Sequence, residues 1–286
     1  MTHHSLIRRM NANDIAAGLA LKEMAEWNQL RLDWERFLSS EPNGCFVAET
    51  NDTVVGTCTT VSYGELFGWI GMVLVHPDQR RRGLGRALLE AGIEYLEGLG
   101  LHAVKLDATP MGKALYDTIG FVDEYGLERW VGTGTKPQAP CAAVRELALA
   151  DMDAIQAVDV PAFGADRGRL LVKLLSNPAV RLAGSFGARG ELEGYLAVRP
   201  GQNAIYLGPL VAVDADTALK LWEWGRGVAG SLPVCVDVLL PNQAAVELVR
   251  ASGFSKQREL IRMYRGNNVS PGQPDLQYAI LGPEVG

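Results

Sequence analysis

The chain repeats itself, and this repeat constrains its fold more than any other feature of its 286 residues. Two matches share an offset of 137, which chance rarely produces, and a third follows at 133. The aligned segments are 7–14 with 144–151, 71–75 with 208–212, and 120–121 with 253–254. We therefore predict two related units at residues 1–132 and 141–286, joined by a Gly- and Pro-containing linker at 133–140.

The change of offset locates a deletion in the second copy. Ala87 and Leu88, which follow a strand-like run, align with Ala218 and Leu219 at a shorter offset of 131. The residues that the second copy lacks correspond to the loop at 79–86. Whatever that loop does, only the first half is expected to do it.

Composition excludes several classes of protein. With 27 Lys and Arg against 33 Asp and Glu, the net charge of -6 gives no general attraction to nucleic acid or to anionic membranes. We find no apolar run of membrane-spanning length and no secretory leader, so a cytoplasmic location is expected. Neither Cys nor His shows metal-ligand spacing, so no metal is expected, and the cysteines are predicted to be small apolar residues in a reducing compartment: Cys45, Cys58, Cys141 and Cys235.

Within the first copy, strand and helix patterns mix. Strand-like runs near 44–50, 53–63, 68–75, 102–107 and 121–131 surround helical runs near 12–23, 30–39, 84–98 and 111–119. Several strands follow each other without a helix between them, so the pattern predicts an α/β (α+β) fold with a mostly antiparallel sheet. The strand at 70–75, the helix at 84–98 and the strand at 102–107 form one right-handed parallel crossover.

The loop before the helix at 84–98 resembles an anion cradle. Gly83 and Gly85 leave backbone N–H groups accessible at the positive end of a helix dipole, and Arg80, Arg81, Arg82 and Arg86 add positive charge. A solvated helix start is the alternative interpretation. The loop is not a P-loop, since Gly-Lys-Ser/Thr is absent, and Leu88 stands where a dinucleotide fingerprint needs Gly or Ala.

The motif Arg80-x-x-Gly83-x-Gly85, behind Val75-His-Pro77, resembles the signature of the GNAT acetyltransferase superfamily. Residues 106–121 resemble the closing segment of that family, with Thr109 where Asn is usual. The resemblance implies two tandem GNAT-like domains, the N-terminal one catalytic. Each would be a mostly antiparallel twisted sheet flanked by helices, with a splayed pair of parallel strands.

The resemblance also implies acetyl-CoA as the co-substrate. Its acetyl-pantetheine arm would lie along Val73, Leu74 and Val75, its pyrophosphate would bind the loop, and Thr109 and Tyr116 would complete the site. The loop residues in question are Arg80, Arg81, Arg82, Gly83, Leu84, Gly85 and Arg86. Tyr116 matches the family's usual proton donor to the leaving thiolate, the alternative being a packed aromatic residue.

The general base is less defined by the sequence. The strand at 69–75 contains no acid, and Asp107 is the leading candidate, with a turn-capping role before Pro110 as the alternative. Glu65 and His76 are weaker candidates. A chain of water molecules is a further route for the proton.

The second copy resembles a degenerate GNAT domain over residues 144–265. Asp214-Ala-Asp-Thr217 replaces the basic cradle and Val249 replaces Tyr116, so we predict no CoA binding there. Trp222 and Trp224 are candidate walls of an acceptor pocket, and Asp216 and Asp237 are candidate attractors of an amine; core packing is the alternative for the tryptophans. The tail at 267–286 is expected to fold back across the seam between the halves.

These features predict an N-acetyltransferase that transfers acetyl from acetyl-CoA to a primary amine of a small molecule by direct attack. Two alternatives stay open: a CoA-sensing or interaction module without turnover, and a peptide or protein N-acetyltransferase. The expected partner is a small-molecule amine rather than nucleic acid or a membrane, and the protein is expected to be a monomer or a homodimer.

Overall fold

The computed structural model describes residues 5–136 and 141–286. Strands in the described part are β1 (Ser5–Arg9), β2 (Phe46–Thr50), β3 (Thr53–Tyr63), β4 (Phe67–Val75), β5 (Ala103–Ala108), β6 (Val122–Thr133), β7 (Val144–Glu146), β8 (Arg181–Phe186), β9 (Leu192–Arg199), β10 (Ile205–Ala212), β11 (Pro233–Leu239), β12 (Ser255–Gly266) and β13 (Gln277–Ala279). Its α-helices are α1 (Ile15–Met24), α2 (Arg31–Ser40), α3 (Leu84–Gly98), α4 (Pro110–Asp117), α5 (Met152–Phe163), α6 (Gly168–Leu175), α7 (Ala215–Ala229) and α8 (Gln243–Ala251).

The predicted mixed α/β architecture and the element order of the first half are confirmed. β3 and α3 have the predicted bounds, and the other elements differ by a few residues at their ends. The parallel crossover is present, since β4 and β5 pair in parallel around α3. The helix α3 forms because Leu88, Gly92 and Leu96 recur at four-residue spacing on one face, which packs on the sheet.

All strands belong to one sheet in which the two halves exchange a strand. The order is β1-β2-β3-β4-β5-β12-β6-β11-β10-β9-β8-β7, with β13 added beside β10. In the middle, β12 from the second half pairs with β5, and β6 from the first half pairs with β11. The division into 1–132, 133–140 and 141–286 stays a prediction; 137–140 lie outside the described residues.

The hydrophobic core covers both faces of the sheet. Alternation along β4 sends Trp69 into a cluster on one face and Ile70 into a cluster on the other. The Trp69 cluster includes side chains from α1, α2, α5 and α6, and therefore joins the two halves. The Ile70 cluster lies under α3, and a separate cluster lies under α7 and α8.

The tail folds back between the halves, as predicted. β13 pairs with β10 of the second half, and the residues after it lie against the first half. The Tyr63 hydroxyl donates to the Val285 carbonyl oxygen at 2.6 Å, and Trp69 Nε1 donates to the Pro283 carbonyl oxygen at 3.0 Å. Within the described ranges, none of the helices has both the length and the apolarity needed to cross a bilayer.

Candidate active site

The first half contains an open gap between β4 and β5. These strands pair only from Phe67 with Ala103 to Trp69 with Lys105. Beyond this point β5 continues its pairing with β12 on its other edge, while residues 70–75 of β4 have no strand partner on the side of β5. The gap therefore leaves a strand edge that an extended ligand can pair with.

A bulge bends β4 at the mouth of this gap. Met72 adopts a left-handed backbone conformation with φ of 51°, and the register of β3 with β4 shifts between Thr57 and Thr59. The Thr57 hydroxyl donates to the Met72 carbonyl oxygen at 2.8 Å and fixes the bend. Bulges of this kind re-aim main-chain groups, and this one lies where the acetyl-pantetheine arm is predicted.

The loop after β4 ends in an uncapped helix N-terminus. Gly83 precedes α3 with φ of 83°, and a Cβ at this position would meet nothing within 4 Å. The N–H groups of residues 81–86 have no hydrogen-bond acceptor among the residues that the structure describes. The bend is therefore open, and it combines free donors with the positive end of the α3 dipole.

The four arginines of the loop are exposed but differ in their contacts. Arg80 Nε donates to the Val75 carbonyl oxygen at 3.2 Å, which ties the loop to the end of β4. Arg86 donates to Glu90 and, at 2.7 Å, to the Thr118 hydroxyl at the end of α4. Arg81 and Arg82 have no ion pair in the described part of the chain. The loop thus presents positive charge beside the free N–H groups.

Thr109 and Tyr116 lie on the other side of the gap. The Thr109 side chain caps α4 by accepting from the Gly112 N–H at 3.3 Å, and it lines the same cavity as Val73 and Tyr116. The Tyr116 side chain is buried against Phe121, and its hydroxyl has no hydrogen-bond partner among the described residues. Burial raises the pKa of the Tyr116 hydroxyl, so it keeps its proton at neutral pH.

Asp107 lines this cavity too, but it is paired. Its two carboxylate oxygens accept from Arg262 Nε and Nη2 at 2.8 and 2.9 Å, and burial raises its pKa while the Arg262 charge opposes that rise. An equivalent buried pair joins Arg129 on β6 to Asp237 on β11. The capping role considered for Asp107 belongs to Thr109.

The corresponding gap of the second half is filled by the chain itself. β10 and β11 pair only at Ile205 with Val234 and Tyr206 with Cys235. β13 occupies the gap beyond: it pairs with β10, and the N–H of the next residue, Ile280, donates to the Asp237 carbonyl oxygen at 3.1 Å. An inserted strand therefore stands where the first half leaves an edge open.

The helix start of the second half is closed as well. Asp214 caps α7 by accepting from the Thr217 N–H at 2.8 Å, and this hydrogen bond lowers the pKa of the Asp214 carboxyl. Asn242 stands at the position equivalent to Thr109, caps α8, and donates to the Asp275 carbonyl oxygen of the tail at 2.9 Å. The start of α7 is thus capped by the chain itself, and the absence of CoA binding in this half stays a prediction.

Several predicted candidates lie away from the cavity. Glu65 is exposed in the turn between β3 and β4, and His76 Nδ1 accepts from the Asp78 N–H in the loop after β4. The suggestion that Trp222, Trp224, Asp216 and Asp237 form an acceptor pocket is wrong. Trp222 and Trp224 pack in the core of the second half, Asp216 is exposed beside Lys220, and Asp237 is buried against Arg129.

Sequence reasoning missed one wall of the cavity. This wall combines the loop between α1 and α2 with β12 and the tail, and its residues are Trp27, Gln29, Arg258, Leu260, Pro283 and Glu284. Nothing in the sequence marks them, because they come from three distant segments that only the strand exchange and the folded tail bring together. The cavity is thus built from both halves. Within the described ranges, we find no cluster of His, Cys, Asp and Glu that would hold a metal.

Comparison with known proteins agrees with this geometry. The Acetyltransferase (GNAT) family model matches residues 15–121, and an Acetyltransferase (GNAT) domain model matches residues 155–279. The chain is 24% identical to the holothin acyltransferase of Pseudoalteromonas sp. (strain SANK 73390) over 262 residues, 91% of this chain and 87% of that protein.

Two solved structures share the architecture of the whole chain. A putative acetyltransferase from Pyrococcus horikoshii is 25% identical, with a TM-score of 0.84 and complete coverage of both chains. A tandem GNAT protein from the clavulanic acid biosynthesis pathway is 17% identical, with a TM-score of 0.66 over 92% of this chain and 98% of that one. Two GNAT units within one continuous sheet define an acyltransferase of the tandem class. The chain belongs to the GNAT acetyltransferase family.

Proposed function

We propose that this enzyme transfers an acetyl group from acetyl-CoA to a primary amine of a small molecule by direct attack. The observation that carries the proposal is the open β4–β5 gap, which leads to the six consecutive N–H groups of residues 81–86 that have no acceptor among the described residues. Acetyl-CoA, which the family uses, needs an extended site for its pantetheine arm and an anion site for its diphosphate. Both features are available in the first half, and the second half offers neither.

The residues of the first half fit this substrate. Val73, Leu74 and Val75 would hold the pantetheine arm along the free edge of β4. Gly83, Leu84 and Gly85 would give their N–H groups to the diphosphate, and the side chains of Arg80, Arg81, Arg82 and Arg86 would offset its charge. Thr109 would contact the arm from the β5 side.

Acetyl-CoA supplies a thioester that an amine attacks directly, so a C–N bond forms while the C–S bond breaks. Tyr116 would donate its proton to the departing sulfur. Its hydroxyl suits this role because it lines the cavity, carries its proton and is not already used in a hydrogen bond within the described residues.

For the proton acceptor, Asp107 stays the prediction. A water chain and a purely structural Arg262–Asp107 pair are the alternatives. The equivalent pair Arg129–Asp237 favours the structural role, because it lies beside the gap that β13 fills. A comparison of Asp107→Asn with Asp237→Asn distinguishes these roles.

An amine panel tests the proposed function. The full-length protein is mixed with acetyl-CoA and amino acids, amino sugars, other small amines and short peptides, and free thiol release is followed together with the mass of the product. We expect at least one small amine to gain an acetyl group. Calorimetric binding of acetyl-CoA without turnover on any amine would favour the sensor, and turnover confined to peptides would favour a peptide acetyltransferase.

A further inference from the structure

The wall formed by the α1–α2 loop, β12 and the tail carries two ionisable side chains that form no salt bridge with any described residue. Arg258 on β12 and Glu284 in the tail both line the cavity beside Tyr116 and Asp107. Asp107 is neutralised by Arg262, whereas neither Arg258 nor Glu284 forms a salt bridge within the part of the chain that the structure describes. Asp237 acts on Arg258 and Arg199 acts on Glu284 through their charges, but neither reaches salt-bridge distance. Both side chains therefore stay available to a ligand that offers the opposite charge at contact distance.

Arg258 offers a site for an anion. It is half-buried, and its Nε is buried without an acceptor among the described residues. Its neighbour across the strand pair is Arg129, whose guanidinium is already bound to Asp237. Burial and the like charge of Arg129 lower the pKa of Arg258. A carboxylate at this position would satisfy the free donor and offset the repulsion.

Glu284 and Gln29 offer a site for an amine. Glu284 is 7% exposed, and its Oε2 accepts from Gln29 Nε2 at 2.9 Å. The other side-chain atom of that amide, Gln29 Oε1, is buried and has no donor among the described residues. A carboxyl group and a free amide oxygen together accept the N–H groups of an amine.

The tail holds this amine site beside the free edge of β4. The Glu284 backbone packs so closely on β4 that a Cβ at Gly71 would collide with the Glu284 carbonyl oxygen. Gly71 directly precedes the bulged Met72, so the Glu284 carboxyl group belongs to a segment anchored next to the point where the thioester is expected.

We propose that the cavity binds an acceptor of the amino-acid type, with Arg258 holding its carboxylate and Glu284 with Gln29 holding its amine. This inference rests on the proposed function and adds the substrate class. Two of its three residues, Arg258 and Glu284, come from the second half, which itself lacks an open cradle.

Amino acids and their carboxamides provide the test, because the carboxamide keeps the amine and removes the negative charge. With the full-length protein, acetyl-CoA and a panel of both series, we expect kcat/KM for the best amino acid to exceed that for its carboxamide by about tenfold or more. Arg258→Gln should bring the ratio near one, mainly through KM for the amino acid. Glu284→Gln should weaken both members of the pair.

Arg250→Gln is the matched control, since Arg250 is exposed on α8 and pairs with Glu247 away from the cavity. It should leave the ratio unchanged. Arg258→Lys keeps the charge and should keep most of the preference, which covers the case in which Arg258→Gln does not fold. Equal rates for acids and carboxamides, or equal losses on both in Arg258→Gln, would overturn the acceptor assignment while leaving the transferase function standing.

Direct binding separates failure of the acceptor site from failure of the enzyme. Calorimetry of amino acids and carboxamides with the protein saturated by CoA should show the same preference and the same loss in Arg258→Gln. If no amine is acetylated but this preference persists, the transferase function fails and the binding site stands. If neither series binds and none is acetylated, both proposals fail.

Discussion

The two splayed strand pairs of this protein separate in the same way, but one gap is open and the other is filled by the chain itself. In the first half, β4 and β5 separate after three paired positions and leave an open edge. In the second half, β10 and β11 separate after two, and β13 fills the gap. The inserted strand satisfies main-chain groups that a ligand would otherwise satisfy. In the second half the tail thus takes the place that the proposed ligand would take in the first half.

The positions flanking the two gaps follow the same rule. Gly83 leaves the start of α3 uncapped, whereas the Asp214 carboxylate caps the start of α7. Thr109 faces the open cavity, whereas Asn242 holds the tail by three hydrogen bonds to its carbonyl oxygens. At each position, a free donor or open space in the first half is replaced in the second half by a contact within the chain.

The largest effect is expected from breaking the two equivalent ion pairs. Asp107→Asn and Asp237→Asn each leave a buried guanidinium without its counter-charge, and each should lower the free energy of unfolding by about 3–5 kcal/mol. Urea denaturation measures this. The variants should differ in activity only if Asp107 accepts the proton: kcat of folded Asp107→Asn would then fall about a hundredfold. Equal kcat in both variants would leave Asp107 a structural role alone.

Tyr116→Phe tests the catalytic difference between the halves. Removing the hydroxyl keeps the ring packed on Phe121 but removes the proposed donor, so kcat should fall about a hundredfold while the Kd for CoA stays unchanged. Turnover is measured by thiol release and affinity by calorimetry. Tyr264→Phe, on β12, is the control and should be neutral. Wild-type turnover in Tyr116→Phe would remove the acid role.

Asn242→Ala and Thr109→Ala compare the same repeat position in the filled and the open gap. Each loses a helix cap worth about 1 kcal/mol. Asn242→Ala also leaves buried tail carbonyl groups unpaired, so its total loss should reach about 2 kcal/mol or more. Unfolding curves of the two variants give the difference. Equal losses would mean that Asn242 does not hold the tail.

Gly83→Asp should give the smallest of these effects. It places at the start of α3 the residue type that caps α7, where Asp214 stands. The carboxylate would cap α3 and repel the diphosphate, so the Kd for acetyl-CoA should rise about tenfold or more. Gly100→Asp is the control, because Gly100 has a similar positive φ of 78° and open surroundings at the far end of α3. The reverse change, Asp214→Gly, should not create CoA binding, since β13 still fills the gap; calorimetry that detected binding would contradict the comparison.

The sequence predicted what depends on local pattern. The strand and helix bounds of the first half follow from alternation and helical periodicity, and the repeat located the lost cradle from a change of offset alone. Both signals lie within short segments, where each residue's neighbours decide its conformation. The bend at Gly83 was recognisable for the same reason.

The rest depended on contacts between distant segments. The exchange of β6 and β12 has no local signature, because either order of these strands satisfies the same alternation of residues. For this reason the sequence did not identify Arg258 and Glu284 as site residues. Arg258 reaches the cavity on the exchanged strand β12, and Glu284 reaches it in the tail. Trp222 packs in the core, which was the alternative to a pocket wall, and the second half reaches the cavity through β12 and the tail instead.

The strand exchange has a consequence for how the protein is made. Until residues 255–266 leave the ribosome, β5 has no partner for the edge that β12 will cover, and an uncovered strand edge invites pairing with other chains. The half that holds the proposed active site is translated first but completed last. A chain cut short before β12 would therefore lack the strand that covers β5, so a change late in the chain would disturb a site built mostly from early residues.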